Sequence, residues 1–221
     1  MVNLLTLDAR GALLASAFGA AILFFGQEYG PLFLGDIVIF LALSAIVTRI
    51  GKRRKSGIGV YENTRGWKNV LSNGAAPVAV VMLFRALGLM GMTFLPLFVI
   101  LVYTASLAAV TADKFSSELG VLDGEPTMLL TLKKVKKGTS GGVTGLGLLS
   151  SALGAVAISA TVLPFAPSIA YAAIPAACGF IGGIVDSVLG YYEEEGIGNK
   201  YTSNFFCSVA GAAACVAMLL V

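Results

Sequence analysis

Apolar residues in this chain fall into about seven runs long enough to cross a membrane, and nearly all charge lies in alternate gaps between them. Charged residues make up 12% of the chain, against about 25% in an ordinary soluble domain. With 57% apolar residues and a mean hydropathy of +0.88, the chain reads as an integral membrane protein. Its 221 residues accommodate the spans and short tails with no room for a soluble domain, so residues 1–221 form one membrane domain. The expected fold is all-α, a polytopic membrane helix bundle with about seven transmembrane helices.

The runs are Ala9 to Phe25, Pro31 to Ile50, Asn69 to Leu87, Met92 to Thr111, Val143 to Leu163, Ile169 to Leu189 and Tyr201 to Val221. Gly11, Ala15 and Gly19 give the first a small-residue stripe suited to close helix packing. In this arrangement every basic residue of the 15 except Arg85 lies on one side. The positive-inside bias then sets the N-terminus and the three polar segments in the cytoplasm and the C-terminus outside. The first residues lack a basic n-region, a cleavage site and an Arg- and Ser-rich transit stretch, so insertion is expected to begin with the first span. The expected location is the cell membrane of a prokaryote.

Histidine is absent, which excludes His-based acid–base chemistry, His zinc sites and His-ligated haem. Cys178, Cys207 and Cys215 sit in apolar runs without metal-ligand spacing and read as buried small hydrophobes. A metal would have to be held by carboxylates and hydroxyls, which suits Mg²⁺ or Mn²⁺.

Three polar segments carry more than solubility requires. The first is RGWKNVLSNG, Arg65 to Gly74. At four-residue spacing, Arg65, Asn69 and Asn73 line one helix face, and Asn73 lies inside the span, where an unpaired amide is costly. An anion beside the stripe, which Lys68 would join, accounts for it; an interhelical hydrogen bond with Arg65 and Lys68 as topology anchors is the plainer account. The second begins TADKFSSELG, Thr111 to Gly120. Asp113 and Glu118 would point about 140° apart on a continuous helix, sharing a face only if it breaks. Ser116 and Ser117 add oxygens there, and the plainer account is a solvated helix end with a Lys114–Glu118 pair. The segment ends KKVKKGTSGGVTGLG, where lysines including Lys136 and Lys137 precede Gly138, Thr139, Ser140, Gly141 and Gly142, with Thr144 close behind. Glycines, hydroxyls and a helix N-terminus suit a phosphate cradle, though the order is not that of a Walker A loop. A positive-inside loop with a Gly-rich turn is the alternative. The third, GFIGGIVDSVLGYYEEEG, places Gly179, Gly182, Gly183 and Asp186 on one stripe, with Asp186 in the last turn of an apolar span. A capped helix end or a lysine partner would also explain Asp186. Glu193 to Glu195 read as a solvated acidic turn, and Lys52 to Lys55 as orientation.

RGWKNVLSNG, TADKFSSELG, KKGTSGGVTGLG and GGIVDSVLG, in this order, resemble the blocks of the transmembrane protein 19 family, which includes bacterial and archaeal members and a plant phytyl-phosphate kinase of tocopherol biosynthesis. The resemblance runs from about Lys52 to Gly190. It implies phosphoryl transfer from CTP or another nucleoside triphosphate to a prenyl monophosphate, phytyl or geranylgeranyl phosphate, giving the diphosphate. It assigns Asp113, Glu118 and Asp186 to a catalytic and metal cluster. Arg65, Asn69, Asn73 and the loop from Gly138 to Thr144 would hold phosphates. Where the family pattern has an Ala-Asp-Thr-type block, this chain has Ala112-Asp113-Lys114.

Such a transfer depends on charge neutralisation and alignment, and the phosphate acceptor is already ionised, so a chain without histidine suffices. The prenyl tail is expected against the glycine face of the sixth span. Expected partners are the nucleotide, the prenyl monophosphate, membrane lipids and a second copy in a homodimer, with no nucleic acid. The rival readings are a carrier for an anionic solute and a cytidylyltransferase-type membrane enzyme. The polar residues gather at one edge rather than at the midplane, as a carrier would have them.

Overall fold

The computed structural model describes residues 7–61 and 66–220. Arg65 lies outside the described residues. Among them, six stretches are long and apolar enough to span a membrane: Ala9–Arg49, Trp67–Leu89, Pro96–Gly120, Gly145–Phe165, Ala170–Glu194 and Lys200–Leu220. The first has 41 residues, about 60 Å as a continuous helix and twice the ~30 Å hydrocarbon core. It is in fact two helices, α1 (Ala9–Gly26) and α2 (Gly30–Arg49). The chain reverses between them at Gln27, whose φ is 52°, through the single 3₁₀ turn Gln27–Tyr29. Asp8 caps α1, its Oδ1 accepting from Gly11 N at 2.6 Å, and Pro31 opens α2.

A short basic helix, α3 (Lys52–Gly57), follows, and the remaining long helices are α4 (Trp67–Leu89), α5 (Pro96–Gly120), α6 (Gly145–Ser159, continued by a 3₁₀ turn to Phe165), α7 (Ala170–Glu194) and α8 (Lys200–Leu220). Seven long helices thus form the all-α polytopic bundle. A two-residue ladder is its only sheet among the described residues: β1 (Thr127–Met128) pairs antiparallel with β2 (Gly142–Val143), Thr127 opposite Val143. It pins the long loop between α5 and α6 under the bundle.

Helix α5 is the axis. Every residue from Ile100 to Ala112 is buried, and α5 touches α2, α4, α6, α7 and α8. Small residues allow this approach. A Cβ on Gly179 or Gly182 of α7 would lie 2.5 Å from the Cβ of Ala108 or Ala109, and one on Gly211 of α8 would lie 2.7 Å from Ala105 O. Polar contacts fix the packing: Tyr103 Oη donates to Phe33 O at 2.6 Å, and the Ser106 and Ser208 hydroxyls meet at 2.8 Å. Cys178, Cys207 and Cys215 are buried, in keeping with their apolar setting.

The helix boundaries differ from the apolar runs in one way that matters. The run from Met92 to Thr111 becomes a helix from Pro96 to Gly120. Pro96 sets its start, and the polar stretch after Thr111 stays helical because its side chains find partners on α2, α3 and α7. Helix α7 likewise runs on to Glu194 through residues expected in a turn.

Candidate active site

At the end of the bundle where α2, α5 and α7 finish and α4, α6 and α8 begin, a cavity of about 350 Å³ opens. Asp113 of α5 and Asp186 of α7 line it, together with Lys114, Lys200 and Glu193. The two aspartate carboxyls adjoin, and both feel the Lys200 and Glu193 charges. Asp186 Oδ1 is buried without a hydrogen-bond partner. Gly183 brings α7 close enough for this approach: a Cβ there would stand 3.0 Å from Ser151 Oγ and 3.3 Å from Ala112 Cβ. Adjacent carboxylates repel in a poorly solvated site, so this pair calls for a shared proton or a bound cation. The orphaned oxygen and the hard-oxygen donor set fit Mg²⁺ or Mn²⁺ held between Asp113 and Asp186.

Glu118 lines the same cavity but does not adjoin the aspartate pair. Because α5 is unbroken, Glu118 points away from Asp113, toward α2 and α3. Its Oε2 accepts from Lys55 Nζ at 2.7 Å, and its Oε1 accepts from Thr48 Oγ1 at 2.9 Å and from Lys114 Nζ. The lysines of this network occupy the carboxylate, so the expected metal role of Glu118 is corrected to that of an anchor. Among the described residues, no three acidic or sulfur ligands converge on a metal position. Lys55, expected to serve orientation alone, is the centre of that anchor. It is 1% exposed, and its ammonium also donates to Thr48 O at 2.6 Å and Val47 O at 3.2 Å. Those carbonyls belong to the last turn of α2, where a cation is favoured.

The glycine loop does reach the cavity: Lys137, Gly138, Thr139, Ser140, Gly141, Gly142 and Thr144 all line it, whereas Lys136 does not. Its glycines, however, serve the fold. Gly141 has φ 73°, and a Cβ there would lie 2.5 Å from Ser187 O and 2.7 Å from Tyr191 N, so the loop rests directly on α7. Ser140 N donates to Glu194 Oε1 at 2.8 Å, and Gly142 N to Thr139 O at 3.2 Å. The start of α6 is also taken. Gly147 N donates to Thr144 Oγ1 at 3.0 Å and Leu146 N to Asp123 Oδ2 at 3.1 Å. Those bonds, first with Leu146 and then with Gly124, hold the Asp123 carboxyl below the usual carboxylate range. The expected cradle of free helix N–H groups is therefore corrected at Leu146 and Gly147: what the loop offers a ligand is the Thr139 and Ser140 hydroxyls, beside the Lys137 ammonium, which already donates to Asp123 O.

The stripe of the first polar segment points elsewhere. Lys68 lies over the Trp67 and Tyr201 rings, 5.9 and 5.7 Å from their centroids. Asn69 and Asn73 face a separate cleft, and Asn73 Oδ1 accepts from Asn204 Nδ2 at 2.9 Å. The interhelical hydrogen bond is the account that holds for Asn73. The glycine face of α7 is closed by α5 and α8, leaving no room for the prenyl tail expected there. Lys55, Lys200, Asn204 and the acidic turn escaped the sequence reading. Glu193 lines the cavity and accepts from Ser203 Oγ, and Glu194 holds the glycine loop. A lone Asn204 inside an apolar run was the available signal.

Over residues 1–217 the chain matches the family described as integral membrane protein DUF92. The chain belongs to this family. It is similar to an uncharacterized membrane protein of Methanocaldococcus jannaschii, 34% identical over 208 residues, which cover 93% of this chain and 82% of the relative. Protein PGR of Arabidopsis thaliana is 32% identical over 188 residues, 75% of this chain and 64% of the relative. An uncharacterized membrane protein of a Synechocystis strain is 30% identical over 160 residues, 69% of this chain and 55% of the relative. The chain thus spans less than two thirds of the plant and cyanobacterial relatives. No solved structure matches the chain.

Proposed function

We propose that this DUF92 protein is a membrane-embedded kinase that transfers a phosphoryl group from a nucleoside triphosphate, CTP by preference, to a prenyl monophosphate such as phytyl or geranylgeranyl phosphate. The observation that carries this reading is the adjoining Asp113–Asp186 pair, with a buried unpartnered oxygen, facing a cavity lined by lysines and hydroxyls at the membrane edge. The ordered sequence blocks, similar to those of the transmembrane protein 19 family, supply the substrate class. The basic bias of the loops supports a cytoplasmic position for the cavity, on the side where the nucleotide would be found.

In this reading Asp113 and Asp186 hold Mg²⁺ or Mn²⁺, which neutralises phosphate charge. Lys137, Thr139 and Ser140 bind donor phosphates from the loop side, and Lys200 draws the acceptor phosphate from the α8 side. An acceptor oxygen attacks the terminal phosphorus as the bond to the leaving diphosphate breaks, so the products are the nucleoside diphosphate and the prenyl diphosphate. The acceptor oxygen is ionised at neutral pH, and no side chain needs to take a proton. The test is purified protein in lipid with CTP, Mg²⁺ and geranylgeranyl phosphate. CDP and geranylgeranyl diphosphate are expected. Release of pyrophosphate would identify a cytidylyltransferase instead, and no product with any nucleoside triphosphate would refute the kinase.

A further inference from the structure

A second cleft lies beside the cavity, between α1, α2, α4 and α5. Its walls are apolar: Ala15 and Phe18 of α1, Ile37 and Phe40 of α2, Val70 of α4 and Leu107 of α5. It starts beside Leu7 and Asn69, at the end of the bundle that holds the main cavity, and descends to Phe18 and Ile37 near mid-helix. A helix of 18 or 20 residues crosses the core, so this places the floor of the cleft in the hydrocarbon region.

One hydrogen bond links the linings of the two spaces. Asn73 lines the apolar cleft, Asn204 lines the charged cavity, and their amides meet at 2.9 Å. Asn204 is 8% exposed. Two carboxamides inside a membrane bundle, each facing a different space, form a polar threshold between a dry slot and a site rich in lysine. A molecule matching both sides has an anionic head and an apolar chain.

We propose that the cleft seats the first carbons of the acceptor's chain, with the Asn73–Asn204 pair marking the junction of chain and phosphate head. This rests on the kinase reading for the identity of the head. The cleft offers about 50 Å³, far less than a whole prenyl chain needs. It holds only the carbons nearest the phosphate, and the rest of the chain lies among the lipids. The protein then selects acceptors by the structure of the unit next to the phosphate and tolerates different lengths beyond it. This replaces the closed glycine face of α7 as the seat of the tail.

The experiment uses the full chain in lipid nanodiscs and a geranylgeranyl monophosphate carrying a diazirine on the isoprene unit next to the phosphate. After irradiation, label is expected on residues 15–18 and 70–74. Ala15→Phe, which fills the slot, is expected to cut that labelling at least tenfold and raise KM for geranylgeranyl phosphate at least tenfold, with KM for CTP within twofold of wild type. Val70→Phe, on the facing wall, repeats the test if Ala15→Phe does not insert. Farnesyl and geranylgeranyl phosphates are expected to differ less than threefold in kcat/KM. Label confined to α6 or α7, absent altogether, or unchanged in both variants overturns the assignment. Label in the cleft of a protein that turns over no acceptor would refute the kinase reading and leave the cleft assigned.

Discussion

Replacing Lys55 with Met tests whether the end of α2 is tied to α5 by one buried ammonium. The substitution keeps the apolar stem and removes bonds to Val47 O, Thr48 O and Glu118 Oε2. Breaking a fully buried ion pair costs about 3–5 kcal/mol. Glu118 is 12% exposed and keeps Thr48 and Lys114, so the loss here is smaller, about 2–3 kcal/mol. For a chain of this size that lowers Tm by about 4–12 °C. Arg53→Met on the same short helix removes an exposed charge and is expected to shift Tm by no more than about 2 °C. Trp67 is the chain's single tryptophan, so its fluorescence in detergent reports the transition. Glu118→Gln alone leaves Lys55 buried without its carboxylate and should destabilise similarly. The double variant Lys55→Met with Glu118→Gln should lose less than the sum of the single losses, by about 1 kcal/mol or more. Equal shifts for Lys55→Met and Arg53→Met, or strict additivity in the double variant, would refute the tie.

Other substitutions separate fold from chemistry. Asp186→Asn removes the repulsion between adjoining carboxyls, so Tm without divalent metal should rise while turnover falls about 10²-fold or more; Mg²⁺ should raise the Tm of wild type and not of this variant. Gly141→Ala puts a methyl against Ser187 O at a φ of 73°, and a loss of about 1–3 kcal/mol with a raised KM for nucleotide is expected from thermal and kinetic assays. Asp123→Asn should destabilise at neutral pH. Because the folded pKa of Asp123 is depressed, its contribution is full above the ordinary carboxylate pKa and fades as pH falls through the lowered one. The Tm gap between wild type and Asp123→Asn should therefore close only in strongly acidic buffer.

Hydropathy and the alternation of charge located the helices because lipid imposes both, and the extension of α5 past Thr111 is the main boundary they miss. A polar helix end looks like a loop until its partners are known, and those partners, Thr48 and Lys55, are distant in sequence. Asp186 stood out because an ionisable group in an apolar run is costly, and Asp113 because it sits with hydroxyls where a run leaves the membrane. Lys55 did not, since four consecutive cations give no indication of which one turns inward. The glycine loop was legible as a close approach, but glycine spacing does not say whether a ligand or a neighbouring helix approaches; here it is α7. Asn73 showed as a polar residue in a span, but its partner Asn204 was missed, and only the fold pairs them.

Helix α5 carries both Asp113 and Glu118, and its middle has no face left for lipid. Hydrophobic mismatch acts on helices that touch acyl chains, through tilt and local thinning. In thicker or thinner bilayers the strain falls first on outer helices such as α1 and α4, while the rod that holds Asp113 is shielded by its neighbours. The depth of Asp113 is thus set by protein rather than by lipid, and under the proposed kinase reading turnover should change little between bilayers of short and long acyl chains.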